Sequence, residues 1–77
     1  MKTMPLEQFK HHYYKTYPNS TLRLGQLFCL VFIDHNEDWQ DLYYCRDYHE
    51  THKLIYKYLL DNNICFDKIP LLREDLL

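Results

Sequence analysis

Apolar and polar positions recur along this chain with the period of a helix. In residues 5–17, apolar or aromatic side chains return every three or four residues, which places them on one face. Pro5 followed by Glu7 is typical of a helix start, and Pro18 predicts an end near Thr16 or Tyr17 because proline disfavours helical backbone before it. The pattern predicts a first helix with an apolar stripe formed by Leu6, Phe9, Tyr13 and Tyr17.

A second regular pattern begins at Asp47. Asp47 and Glu50 have the spacing of a capping box, which indicates the N-terminus of a helix. The periodic stretch ends before Asn62 and Asn63, either of which suits a left-handed helix cap. The pattern predicts an amphipathic helix that packs through Thr51, Leu54, Ile55, Tyr58 and Leu59.

The middle of the chain is its most apolar stretch and contains the only glycine, Gly25. Residues 27–33 have the length and the Val and Ile content of a buried strand, whereas residues 21–33 are long enough for a buried helix. Length and good helix formers favour the helix, capped by Ser20 or Thr21. Because Gly25 costs about 1 kcal/mol against alanine inside a helix, we expect a neighbouring element to cross closely there.

The remaining segments are shorter. Trp39, Leu42 and Tyr43 have helical spacing and predict a short helical turn. Residues 64–66 predict an extended return onto the core, and Pro70 either begins a last helical turn or lies in a free tail. We therefore predict one all-α domain that covers the whole chain. It is a three-helix small domain with a short helical turn between helices 2 and 3 and a C-terminal strap.

The composition is that of a small globular protein, with 77 residues of which 47% are hydrophobic and 26% charged. A core of this size supplies only about 3–5 kcal/mol, so the sequence is compatible with a homodimer. The N-terminus lacks the pattern of a secretory signal, and the longest apolar run is far shorter than the ~20 residues of a membrane span. Three cysteines, an odd number, favour reduced thiols in a cytoplasm.

Charge is distributed unevenly along the chain. Between residues 34 and 50, six acids stand against Arg46 alone, a net charge of −5. Such a surface suits a basic groove on a partner protein, and nearby aromatic side chains supply apolar contact. The alternative interpretation is a solvated loop with acids at a helix start. The predicted partner surface consists of the acids Asp34, Glu37, Asp38, Asp41, Asp47 and Glu50 and the aromatic residues Trp39, Tyr43, Tyr44 and Tyr48.

The first predicted helix carries a basic and aromatic cluster that suggests a different partner. Basic side chains neutralise phosphates, and aromatic rings stack on bases. The sequence pI of about 6.2 lacks the strongly basic balance of a nucleic-acid binder, so this is the second hypothesis, weighed against a simple solvated helix face. The candidate nucleic-acid face consists of Lys10, His11, Tyr14 and Lys15.

Metal binding and catalysis have weaker support. Cys45, His49 and His52 have helical spacing and offer zinc ligands, with His35 or Asp41 as a fourth. The set lacks a second compact pair, and Cys45 precedes the predicted helix cap, so we predict neither a metal nor another cofactor. No nucleophile with a positioned base and an oxyanion site is recognisable, so the sequence predicts no enzyme.

Arg23 is a charge on the helix predicted to be most buried. A buried charge needs a partner, and we expect an ion pair with one of the acids that follow the helix. The alternative interpretation is an arginine that recognises a ligand. The candidate partners of Arg23 are Asp41, Asp47 and Glu50.

The motif at residues 23–28, which reads Arg-x-Gly-Gln-x-Phe, precedes a Leu-Tyr step at 42–43 and the acid Asp47. This pattern resembles one in small uncharacterised proteins of bacteriophages and prophages. The likeness covers about residues 21–60, and this chain has Leu30 where those proteins often have Asn. It supports a central helix and implies a phage origin and a place in the cytoplasm of a bacterial host cell. By analogy with small acidic phage proteins, it implies a non-enzymatic inhibitor of a host protein complex, such as a CRISPR-Cas defence nuclease.

Overall fold

Four α-helices lie in the described part of the chain, which comprises residues 2–16, 21–33 and 37–77 of a computed structural model. They are α1 (Leu6–Thr16), α2 (Leu24–Phe32), α3 (Gln40–Tyr44) and α4 (Tyr48–Asp61). A 3-10 helix at Glu37–Trp39 leads into α3, and another at Glu74–Leu76 lies near the C-terminus. Two short strands complete the fold, β1 at Thr3–Met4 and β2 at Ile69–Pro70.

The prediction of a small, mostly helical domain is confirmed, but the all-α class is wrong in one respect. The two strands pair antiparallel, with Thr3 opposite Pro70 and Met4 opposite Ile69. The backbone N–H of Leu71 then donates to the carbonyl of Lys2 at 2.8 Å. A strand of two residues is too short to show the alternation of apolar and polar residues by which strands are predicted. The pairing of these strands depends on contacts between distant parts of the chain.

Helix α2 forms the centre of the core, and seven of its nine residues are buried. It begins at Leu24 rather than at residue 21, and Arg23 occupies the N-cap position without a side-chain hydrogen bond. The predicted cap at Thr21 is therefore wrong, and Ser20 lies outside the described residues. Phe9 of α1 packs edge-on against Phe32, with ring centroids 4.9 Å apart. This contact fixes α1 against the buried face of α2.

Gly25 lies where α2 meets α3, as the sequence predicted. A Cβ atom built on Gly25 would collide with the carbonyl oxygen of Leu42 and lie 3.0 Å from Leu42 Cδ1. Leu42 is fully buried, and it is the residue of the short helical turn that reaches the core. The glycine therefore allows the backbone of α3 to approach α2 more closely than any side chain would permit.

Helix α4 begins and ends at the predicted residues. The Asp47 carboxylate accepts a hydrogen bond from the Glu50 backbone N–H at 2.9 Å, and Asn63 adopts a left-handed conformation with φ of 55°. The predicted stripe faces the core, since Ile55 and Leu59 are buried with Thr51. Thr51 Oγ1 donates to the carbonyl of Asp47 at 2.8 Å, which satisfies this buried hydroxyl.

The C-terminal strap, residues 64–77, is tied to the core rather than free. Ile69 of β2 is fully buried, so the prediction that Pro70 starts a helical turn is wrong. The backbone N–H groups of Leu72 and Arg73 both donate to the carbonyl of Val31, at 2.9 and 3.2 Å. The strap thereby satisfies a carbonyl that the last turn of α2 leaves open. No helix in the described ranges is long and apolar enough to span a bilayer.

Candidate functional site

An open groove of about 510 Å³ lies between α3 and α4 and contains part of the predicted acidic surface. Asp41 and Tyr44 come from α3, and Glu50 comes from the first turn of α4. The three-residue connection 45–47 is short enough to bring these side chains side by side. We call this surface the acidic groove; its lining residues are Gln40, Asp41, Tyr44, Cys45, Glu50 and Leu54.

The charge of the acidic groove is not neutralised within the described residues. The ion pairs found there join Lys2 to Glu74 at 3.3 Å and Lys10 to Glu7 at 3.4 Å, and neither involves the groove. The acids of the predicted surface that can be placed are exposed, namely Asp38, Asp41, Asp47 and Glu50. Asp34 and the side chain of Glu37 lie outside the described residues.

Asp47 has a structural role at the N-terminus of α4, and we expect Asp47→Ala to lower the free energy of unfolding by about 1 kcal/mol. The substitution removes the acceptor for the Glu50 backbone N–H. Urea denaturation followed by circular dichroism measures the change. Asp47→Asn is the matched control because its amide oxygen retains the cap, so it should stay within a few tenths of a kcal/mol of the unmodified protein. Equal stability of the alanine variant would contradict the assignment.

The four predicted aromatic contact residues fall into two pairs. Tyr44 and Tyr48 are exposed at 64% and 55%. Trp39 is half-buried, with its ring edge-on to Tyr58 at 5.2 Å. Tyr43 is also half-buried, and its hydroxyl accepts a hydrogen bond from Gln26 Nε2 at 3.2 Å. Trp39 and Tyr43 are thus partly packed, as their helical spacing indicated, whereas Tyr44 and Tyr48 are the more exposed pair.

Arg23 does not form the ion pair that the sequence predicted. Its Nη2 donates to the backbone carbonyl of Tyr43 at 3.4 Å, and Nε is buried without an acceptor. None of the candidate acids is its partner within the described residues. The carbonyl of Tyr43 is available because it lies in the last turn of α3, where carbonyl groups lack intrahelical donors. Arg23 is thus a half-buried cation with one long hydrogen bond to a neutral group.

A second cavity, of about 420 Å³, opens beside Arg23. It lies between α1, the N-terminus of α2 and the start of α4, and two arginines and three tyrosines contribute to its wall. The rings of Tyr14 and Tyr48 lie 6.0 Å apart between centroids. Burial and a hydrogen bond with Tyr48 raise the pKa of Tyr14 above its usual range. We call this the arginine cleft; its lining residues are Tyr13, Tyr14, Arg23, Leu24, Cys45, Arg46, Tyr48 and Thr51.

The four residues of the predicted nucleic-acid face on α1 lie in different surroundings. Lys10 is paired with Glu7, and Tyr14 lies in the arginine cleft. Lys15 borders a different hollow, together with residues of the C-terminal strap. His11 is exposed. All four residues lie on α1, but Tyr14 lines a cavity together with side chains that the sequence did not group with it.

The weak zinc candidates do not form a ligand set. Cys45 Sγ donates to the carbonyl of Asp47 at 3.4 Å, and His52 Nδ1 lies 2.8 Å from the carbonyl of Tyr48. Within residues 2–16, 21–33 and 37–77, no three His, Cys, Asp or Glu side chains are grouped to hold a metal ion; His35 lies outside them. The Cys29 thiol is buried in the core, which raises its pKa to about 12.

Comparison with protein-family models, with curated proteins and with solved structures finds no match to this chain. Within the structure, two residues of the motif at 23–28 make packing contacts: Gly25 lies against Leu42, and Gln26 donates a hydrogen bond to the Tyr43 hydroxyl. The two surfaces just described are the basis for any inference about function.

Proposed function

We propose that this protein is a non-enzymatic interaction module that binds a partner protein through the acidic groove. The observation that carries the proposal is that Tyr44 lines the same groove as Asp41 and Glu50, and that no cation of the described residues pairs with these acids. A partner that presents lysine or arginine side chains beside an apolar recess would complement this surface in charge and shape.

The two kinds of side chain make different contributions to such binding. Exposed tyrosines are favoured anchors at protein interfaces because they bury a large ring while keeping a hydrogen-bonding tip. The carboxylates accelerate association with a basic partner and penalise acidic ones, an effect that salt screens. Leu54, which also lines the groove, adds an apolar contact for the partner side chain. Binding should therefore weaken as salt is raised.

As a finer proposal, the partner is a host protein complex that the binding inhibits. Proteins that act on nucleic acids present basic grooves to phosphates. A small protein with a row of carboxylates can occupy such a groove and exclude its substrate. The acidic groove and the resemblance to phage proteins both support this role, and a defence nuclease such as a CRISPR-Cas complex is the corresponding target.

The proposal is tested with a variant that removes charge without changing shape. Asp41→Asn combined with Glu50→Gln should weaken binding of the recovered partner by about tenfold or more, which corresponds to about 1.4 kcal/mol. The matched control is Asp61→Asn combined with Asp75→Asn, because both acids are exposed outside the groove. Affinity capture from a bacterial lysate at physiological salt, followed by titration of the purified partner, gives the comparison.

Two results would count against the proposal. One is the failure of the unmodified protein to retain any protein partner. The other is equal binding by the groove variant and its control. The inhibitory role needs a separate measurement, in which phage plating is compared on bacteria that express a defence nuclease with either protein. Unchanged plating beside intact partner binding would remove the inhibitory role and leave the interaction.

A further inference from the structure

We propose that the arginine cleft is a binding site for a phosphorylated nucleoside, either free or as part of a single strand. This inference does not depend on the acidic groove. Cys45 is the one lining residue that the two surfaces share, and the charges of the two surfaces are opposite.

The first support is the unsatisfied charge of Arg23. Its guanidinium carries five N–H donors, of which one bonds to the carbonyl of Tyr43 at 3.4 Å. The Nε atom is buried without an acceptor, and no carboxylate of the described residues pairs with the side chain. A half-buried cation in this state has lost water without gaining an anion. An anionic group in the cleft would supply the missing partner.

The second support is Arg46, which lines the same cleft from the loop between α3 and α4. Its side chain is exposed and forms no ion pair with the described residues. Two guanidinium groups at one cavity suit a phosphate, because each presents parallel donors to its oxygens. A single carboxylate would leave the second arginine unused.

The third support is the N-terminus of α2, which reaches the cleft through Arg23 and Leu24. The helix has nine residues and no side-chain cap, so its first N–H groups lack acceptors from a cap. Backbone N–H groups at a helix start favour an anion. This adds to the two arginines that line the same cleft and favours an anion near Arg23.

The cleft is also lined by aromatic side chains, which indicates a planar ring beside the phosphate. Tyr14 and Tyr48 contribute exposed rings, and their mutual contact holds both in place. Bases stack on tyrosine rings, commonly for about 1–3 kcal/mol per base. The volume of about 420 Å³ falls within the usual range of small-ligand sites. Aromatic rings and cations in one cleft match the two halves of a nucleotide.

Cys45 provides a direct reporter of occupancy because it is half-buried in the wall of the cleft. In a Cys65→Ser background, Cys45 is the reactive thiol, since Cys29 is buried with its pKa raised to about 12. We expect adenosine 5′-monophosphate to slow alkylation of Cys45 by iodoacetamide at least fivefold at saturation. Adenosine and inorganic phosphate, each supplying half of the contacts, should require concentrations at least tenfold higher.

The variants separate the arginine contacts from folding. Arg46→Gln should weaken protection at least tenfold, while Arg73→Gln, a change at an exposed arginine in the strap, should leave it unchanged. Arg23→Gln should abolish protection, but it also removes a contact to α3. Arg46 makes no such contact, so its variant keeps the test decisive if Arg23→Gln does not fold. Glu50→Gln should not reduce protection, which separates this site from the acidic groove.

Some outcomes would overturn the proposal. They are the absence of protection, equal effectiveness of inorganic phosphate or phenyl phosphate, and equal protection of the Arg46 and Arg73 variants. A comparison of thymidine monophosphate with a short thymidine strand distinguishes the source of the ligand. Stronger protection by the strand, per site, assigns the cleft to single-stranded nucleic acid. Stronger protection by the monomer assigns it to a free nucleotide.

Discussion

A single methyl group at Gly25 is expected to unfold this protein. Alanine is the better helix former by about 1 kcal/mol, so helix propensity alone predicts that Gly25→Ala stabilises α2. The new Cβ would collide with the carbonyl oxygen of Leu42 and lie 3.2 Å from its carbonyl carbon. Backbone atoms cannot rotate away as a side chain does. Overpacking of this kind costs about 1–3 kcal/mol and sometimes more, against a total stability of only about 3–5 kcal/mol.

The variant should therefore lose its cooperative thermal transition, or lose at least about 2 kcal/mol in urea denaturation. Leu42→Ala in the same chain should not rescue it, because the contacting oxygen belongs to the backbone. Gln26→Ala is the neighbouring control on α2; it removes the hydrogen bond to Tyr43 and should cost about 1 kcal/mol. A Gly25→Ala protein as stable as the original would show that α3 does not cross α2 this closely.

The crossing at Gly25 also determines the positions of the acidic groove and the arginine cleft. It brings the last turn of α3 beside Arg23, whose Nη2 bonds to the carbonyl of Tyr43. The loop that follows then places Arg46 in the arginine cleft, while Asp41 lines the acidic groove. A shift of α3 would change both surfaces together. Variants at the crossing are therefore unsuitable for separating the two proposed activities.

Local patterns were sufficient to predict the helices. The stripe of α4, its Asp47 cap and its left-handed Asn63 all follow from spacing within one segment. The crossing at Gly25 was also predictable, because a glycine inside an apolar helix costs energy unless something lies against it. These features depend on a few neighbouring residues, and periodicity reports such features well.

The arginine cleft and the partner of Arg23 were not predictable in the same way. The cleft combines α1, the start of α2 and the loop before α4, which the sequence does not place together. Arg23 was expected to pair with a carboxylate, but its partner is the carbonyl of Tyr43 at the end of α3, and no acid of the described residues forms an ion pair with it. Spacing indicates which face a residue occupies, and it does not indicate which of several polar groups a long side chain reaches.

The contacts of the C-terminal strap were also not predictable from residue spacing, and a substitution in the strap should have the second large effect on stability. We expect Ile69→Ala to lower the free energy of unfolding by about 2–4 kcal/mol, most of the stability available to a domain of this size. Ile69 is fully buried and lies opposite Met4 in the two-stranded sheet. Its loss leaves a cavity and frees the strap that holds α2. Leu72→Ala, at a side chain that is 44% exposed, is the control and should cost less than about 1 kcal/mol.

Hydrogen exchange distinguishes a tied strap from a tail that merely touches the surface. The amides of Leu71 and Leu72 donate to the carbonyls of Lys2 and Val31, both at distances under 3 Å. They should exchange slowly in the unmodified protein, and Ile69→Ala should speed their exchange more than that of Ile55 in α4. Fast exchange of these amides before any substitution would contradict the pairing of β1 with β2. Slow exchange that survives Ile69→Ala would show instead that the backbone hydrogen bonds, rather than the buried side chain, hold the strap in place.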